Sequence, residues 1–195
     1  MVGDVGILEE LDLKGISHIG GPSEAGKTID LVPGYALPHD EDVGAVVVGF
    51  DRHINYYKIQ YATLCIRESN AMFIGTNPDA VTHLTDAQEW AGNGSMVGAI
   101  KGSTKREPVI VGKPNGFMLD NIASTQGIDK SEITMVGDRL DTDILFGKDN
   151  GTNTLLVLTG VTTEAELKSD SNTIVPDAYT TKLADLLSVG SQVAA

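Results

Sequence analysis

Short apolar runs alternate along this chain with segments whose apolar residues recur every three or four positions, and Gly, Pro, Asn or Asp mark most of the junctions. That alternation is the signature of βα units around a mostly parallel sheet. Val43 to Phe50 reads as a buried strand. Asn55 to Glu68 reads as a helix with Tyr57, Tyr61, Leu64 and Cys65 on one face, and Ala71 to Thr76 as the next strand. Ahead of them, Ile7 to Leu13 is expected to be helical, Ile16 to Ile19 extended, and Gly21 to Asp42 a loop-rich stretch broken by Pro22, Pro33 and Pro38. Gly94 to Ser103 follows as a short helix and Pro108 to Gly112 as a strand leading into Lys113. The remaining pattern predicts a helix from Gly116 to Gln126 closed by Gly127, a strand from Ile133 to Val136, and a helix from Asp141 to Asp149 closed by Gly151. A strand from Thr154 to Leu158 and a strand-to-helix passage from Ala178 to Leu187 complete the chain. A boundary is placed ahead of Pro108, dividing residues 1–107 from 108–195.

Composition narrows the function. With 195 residues, 41% of them hydrophobic, the chain can bury a substantial core. Its 27 acidic against 14 basic residues give a formal charge of -13, which argues against a nucleic-acid partner and makes any phosphate site a local exception to the overall field. The single cysteine, Cys65, lies in an apolar helical stretch, as a buried thiol in a reducing compartment would. No apolar run reaches the length of a membrane helix, and neither a signal-peptide core nor a transit segment opens the chain, so a soluble intracellular protein is expected.

Two clusters carry chemistry. The strand ending at Val136 runs into Gly137-Asp138-Arg139-Leu140-Asp141-Thr142-Asp143, which puts Asp138 where a parallel strand ends and its helix begins, the edge at which open α/β sheets bind ligands. Three carboxylates in six residues repel one another unless something positive lies among them, and an all-oxygen site suits Mg²⁺. Asp141 is read instead as a helix cap. The second cluster is Val111-Gly112-Lys113-Pro114. Lys113 at the same sheet edge can neutralise a phosphoryl group while a carboxylate such as Asp143 holds it. This arrangement predicts that strands 108–112 and 133–136 are parallel neighbours.

Gly-Lys-Pro at 112–114 and Gly-Asp-Arg-Leu-Asp-Thr-Asp-Ile at 137–144 together resemble the third and fourth motifs of the haloacid dehalogenase superfamily, in the branch of phosphoglycolate and 4-nitrophenyl phosphatases. Val43 to Asp51, Tyr56 to Arg67, Ala80 to Gly92, Met96 to Thr104 and Leu155 to Thr163 resemble the plant phosphoglycolate phosphatases as well. The resemblance implies an α/β fold in which a Rossmann-like parallel sheet, here incomplete, carries an inserted α/β cap that selects substrate; residues 1–107 would be cap. It implies Mg²⁺ held by Asp138 with Asp143, Lys113 as the cation facing phosphate, and Thr82 and His83 facing the substrate from the cap, with His53 a further candidate. The substrate implied is a small phosphorylated metabolite, 2-phosphoglycolate, in the chloroplast stroma for a plant-type protein and the cytoplasm otherwise; a homodimer is left open.

Family chemistry runs through an aspartyl phosphate, and the Asp-x-Asp-Gly motif that supplies nucleophile and acid is not found in these residues. An amino-terminally truncated chain without turnover is therefore expected, and a noncatalytic fragment or regulatory subunit is the first alternative. Two segments imitate missing parts: Asp51 ends a strand but is followed by Arg52 and His53, and Ile74 to Asn77 imitates the second motif. Gly21 to Thr28 matches the nucleotide P-loop pattern, but Pro33 and Gly34 leave little room for the helix that a P-loop opens, so a nucleotide-binding module is disfavoured.

Overall fold

The computed structural model describes residues 1–82 and 84–188, in two compact units, Met1–Val111 and Gly112–Ala195. The first contains α1 (Val5–Leu13), β1 (Ala45–Val48), α2 (Tyr56–Arg67), β2 (Met72–Gly75), a two-stranded hairpin of β3 (Val81–Thr82) and β4 (Trp90–Ala91), α3 (Asn93–Thr104) and β5 (Val109–Ile110). Its parallel sheet has the order β1-β2-β5, and Val2 bridges Val48 on the free side of β1. Val46, Val48 and Phe73 from the sheet meet Cys65 and Ile66 of α2 and Met96 and Ile100 of α3 in one core.

Asn55 starts α2 by accepting the Lys58 N–H with its side chain at 2.9 Å, an N-cap that satisfies one orphan donor of the first turn. The buried face of this helix runs through Lys58, Ala62, Cys65 and Ile66, so Tyr57, Tyr61 and Leu64 are only half-buried, a rotation away from the face that apolarity predicts. The reason is a charge pair. Lys58 and Asp51 are 3% and 2% exposed, with Nζ 2.7 Å from Oδ2, and Asp51 also accepts the Gly3 N–H at 3.2 Å and the His53 N–H at 2.9 Å.

The second unit contains α4 (Phe117–Gln126), β6 (Thr134–Gly137), a π-helical turn at Leu140–Ile144 continuing into α5 (Leu145–Asp149), β7 (Asn153–Val157), α6 (Glu164–Leu167) and β8 (Ala178–Thr180). Its parallel sheet has the order β6-β7-β8, which leaves β6 at an edge with Val136 exposed. Gly127, at φ 65°, closes α4 as the sequence predicts. Ile144, Phe146 and Leu156 are buried, and Gly147 lets α5 approach β7 closely, since a Cβ there would lie 2.5 Å from Thr154 Cγ2.

The expected pairing of strands is overturned. The strand expected at 108–112 does not neighbour the strand at 133–136; Val109 and Ile110 pair with Ile74 and Gly75 of β2 in the first unit. Ile110 Cδ1 packs over Gly75, 2.7 Å from where a Cβ would stand. The units therefore divide after Val111, and Lys113 lies in a turn outside either sheet.

Because a buried charge without its partner is costly, Asp51→Ala is expected to destabilise the chain by about 3–5 kcal/mol. The double substitution Asp51→Leu with Lys58→Met should cost less than Asp51→Ala alone, as read from urea midpoints.

Candidate active site

At the carboxyl end of β6 the backbone turns sharply around the Asp143 side chain, which is 7% exposed. Its Oδ2 accepts the N–H groups of Asp138 at 3.1 Å and Arg139 at 3.2 Å, and its Oδ1 lies 2.5 Å from Lys113 Nζ. Hydrogen bonds to a charged acceptor contribute about 1.5–3 kcal/mol each, enough to fix this turn. Gly137 is required beneath it, since a Cβ there would stand 2.2 Å from Asp143 Cβ. The Lys113 side chain remains 40% exposed, so the ammonium is anchored on one side and open on the other.

Asp138 projects from the same turn. Its Oδ2 accepts the Val161 N–H at 2.9 Å and its carbonyl accepts the Thr162 N–H at 2.9 Å, which ties the loop after β7 to the end of β6. Among the described residues, no protein donor reaches the other carboxylate oxygen. The structure thus brings Lys113, Asp138 and Asp143 together through a turn and not through paired strands. Asp143 has both oxygens engaged by protein donors, whereas Asp138 has one engaged and one without a protein donor among the described residues. Among the described residues no cluster of three or more His, Cys, Asp or Glu could hold a metal ion by itself. A hard cation that keeps several waters fits one free carboxylate oxygen beside an ammonium, but only as a partial shell.

Asp141 does not cap the helix. It forms a two-point pair with Arg139, Nε–Oδ1 at 3.1 Å and Nη2–Oδ2 at 3.0 Å, and the guanidinium holds its carboxyl below the usual carboxylate range. The π-turn at Leu140–Ile144 has no side-chain cap; the Asp143 carboxylate points back at the strand end instead, holding the N–H groups of Asp138 and Arg139. Sequence reasoning missed Gly160 and Val161, which close over Asp138. Their signal is the small-residue turn Thr159-Gly160 after a buried strand, where a Cβ on Gly160 would stand 1.8 Å from Asp138 Oδ2 and 2.6 Å from its Cβ.

The other candidates lie in the first unit. Asp51 is sealed against Lys58. Gly21 to Glu24 forms a single 3₁₀ turn with no helix after Lys27, whose ammonium pairs with Glu24 at 2.6 Å and lies over the Tyr57 ring at 4.7 Å. That geometry is not a P-loop. His53 is exposed. Thr82 pairs with Trp90 across the hairpin and lines a cavity of about 170 Å³ with Phe50, Asn77, Asp79 and Asn93. Trp90 is 40% exposed and donates to Thr85 Oγ1 at 3.0 Å. His83 lies outside the described residues.

Residues 110–186 match the HAD-hydrolase-like family model. The chain belongs to the haloacid-dehalogenase (HAD)-like family. This HAD-like chain is 62% identical over 189 residues to phosphoglycolate phosphatase 1A, chloroplastic, of Arabidopsis thaliana, covering 96% of itself and 52% of that protein. It is 35% identical to glycerol-3-phosphate phosphatase of Rattus norvegicus, covering 96% of itself and 60% of that protein. Among solved structures, p-nitrophenyl phosphatase from Archaeoglobus fulgidus superposes with a TM-score of 0.76 at 30% identity, over 96% of this chain and 66% of that one. The chain spans about half the length of the plant relative it matches.

Gly160→Ala is expected to displace Asp138 and lower stability by about 1–3 kcal/mol, because the clash reaches the Asp138 Cβ and a rotamer change cannot relieve it; thermal melting checks this. Arg139→Gln should raise the Asp141 pKa towards its ordinary value of about 3.9, as carboxyl NMR titration would show. Since the folded-state pKa is the depressed one, the pair stabilises the fold above that ordinary value and the contribution is lost as pH falls through the folded pKa. With both side chains largely solvated it amounts to less than about 1 kcal/mol.

Proposed function

We propose that this chain is the substrate-selecting and charge-stabilising part of a magnesium-dependent phosphatase acting on 2-phosphoglycolate. The observation that carries the proposal is the Lys113–Asp143–Asp138 arrangement, in which one carboxylate orients an open ammonium beside a second carboxylate with a free oxygen. Lys113 draws a phosphoryl oxygen to its exposed side and stabilises the charge that builds as the phosphorus is attacked. Asp143 keeps that ammonium in place and positions Asp138 through the backbone. Asp138 offers its free oxygen to Mg²⁺, which when bound shields the phosphoryl charge. The nucleophilic and proton-donating carboxylates belong, in this proposal, to the portion by which the relatives exceed this chain, and the open edge of β6 supports a sheet completed by that portion.

For the substrate, the support is the contrast between 62% identity to a protein named for phosphoglycolate and 35% to one named for glycerol-3-phosphate. The name of the first supports a chloroplast location. The first unit serves as the cap, with Thr82 at the cavity beside the hairpin and His83 next to it in sequence as its substrate-facing residues. No helix among the described residues is long and apolar enough to cross a membrane.

Purified chain given Mg²⁺ and 2-phosphoglycolate is expected to show no turnover. Calorimetry should find weak Mg²⁺ binding that is lost in Asp138→Asn, and inorganic phosphate binding in the presence of Mg²⁺ that weakens about tenfold or more in Lys113→Ala. Turnover by the chain alone, or tight Mg²⁺ binding that survives Asp138→Asn, overturns the assignment.

A further inference from the structure

The first residues of the chain run as a strand between two neighbours. Val2 donates to Val47 O at 2.9 Å and accepts from Gly49 N at 2.8 Å, the parallel pattern that bridges it to Val48. One residue earlier the bonding turns to the other side. The Met1 amine donates to Ile19 O at 2.6 Å and Met1 O accepts from Gly21 N at 3.1 Å, which is the same parallel pattern with Gly20 as partner.

Successive residues of a strand bond to alternate neighbours, so both registers can be extended upstream. A residue directly ahead of Met1 would stand opposite Val46, donate to Ala45 O and accept from Val47 N. The residue before that would stand opposite His18, donate to Ser17 O and accept from Ile19 N. Ala45 and Val47 face away from β2, because Gly44 O and Val48 O are the carbonyls that bond Met72 N and Thr76 N. Among the described residues, none of these four backbone groups has a partner. Ser17, Ile19 and Ala45 are exposed and Val47 half-buried, so these groups form an open strand edge on either side of the slot, a ready template for a further strand.

Side-chain space matches the backbone. Val2 shares the core with Val46 and Val48, so the residue ahead of Met1 would enter the same side, where Val46, Tyr61, Ala62 and Cys65 line a cavity of about 210 Å³. The residue before it would face the other side, where Leu11, Ile16, Val47 and Ile74 line a cavity of about 620 Å³. Leu11 of α1, a helix that buries no residue, is among the side chains that line this second cavity.

We infer that this slot is filled by extended residues joined directly ahead of Met1 in a longer form of the chain, so that the first unit has a five-stranded sheet ordered 16–20, amino-terminal strand, β1, β2, β5. The chain for such a strand is available in the relatives, of which this sequence spans about half. A covalently attached strand also needs no association entropy, unlike a second copy or a free peptide. The Met1 amine lies where the chain would join. Burial pushes its pKa down, a desolvation cost that an amide in its place would not carry.

The test compares two versions of the chain lengthened equally at the amino end, one with Val-Val and one with Pro-Pro immediately before Met1. Both convert the amine to an amide, and only the first supplies N–H donors to Ala45 O and Ser17 O. Val-Val is expected to melt about 5 °C or more above Pro-Pro. It should also slow hydrogen exchange of the Val47 and Ile19 amides about tenfold or more. Equal melting together with unchanged exchange at those two amides overturns the inference. So does protection of both amides in the unextended chain that rises with protein concentration, which would assign the slot to a second copy.

Discussion

The Asp143 carboxylate is the constraint on which the candidate site depends. A buried carboxylate needs donors, and here the backbone of its own strand end and one lysine supply them. Satisfying it bends residues 138–144 into a π-turn in place of a regular helix start and aims Asp138 outward. It also draws Lys113 to the site from a turn that belongs to neither sheet. Gly137 and Gly160 follow from the same requirement, one beneath Asp143 and one against Asp138, each where no side chain fits. The cost of burying one acid is met by an arrangement that leaves a half-exposed ammonium and an unengaged carboxylate oxygen at the same turn.

The first unit uses a buried acid differently. Asp51 binds Lys58 and the N–H groups of Gly3 and His53, so it ties the amino-terminal strand, the loop after β1 and α2 together. Both oxygens are consumed in holding structure. A carboxylate at a strand end is thus a candidate for chemistry only when some of its acceptor capacity is left over, and that separates Asp138 from Asp51 although both follow apolar strands.

Much of the site could be read from the sequence because it is local. The interval from Asp138 to Asp143 is short enough that strand, turn and carboxylate spacing fix one another, and Gly-Lys-Pro gains its meaning from Gly137-Asp138 following it by some twenty-five residues. Elements with clear period and punctuation, such as α2 after Asn55 and α4 before Gly127, fall within a residue or two of expectation. The hairpin of β3 and β4 was not legible, because strands of two residues carry no period.

By itself the sequence determined the alternation of strands and helices, the two motifs and the family they indicate, since each rests on residues close together in the chain. Only the tertiary structure decided which sheet Val109 and Ile110 join, which face of α2 is buried, and that Asp141 pairs with Arg139 while Asp143 holds the backbone at the end of β6. Those outcomes turn on partners far away in sequence or on competition between neighbouring groups. Pairing Ile110 beside Gly75, and burying Lys58 against Asp51, depends on space and charge that appear only when distant segments pack, and no local pattern of apolar residues encodes them.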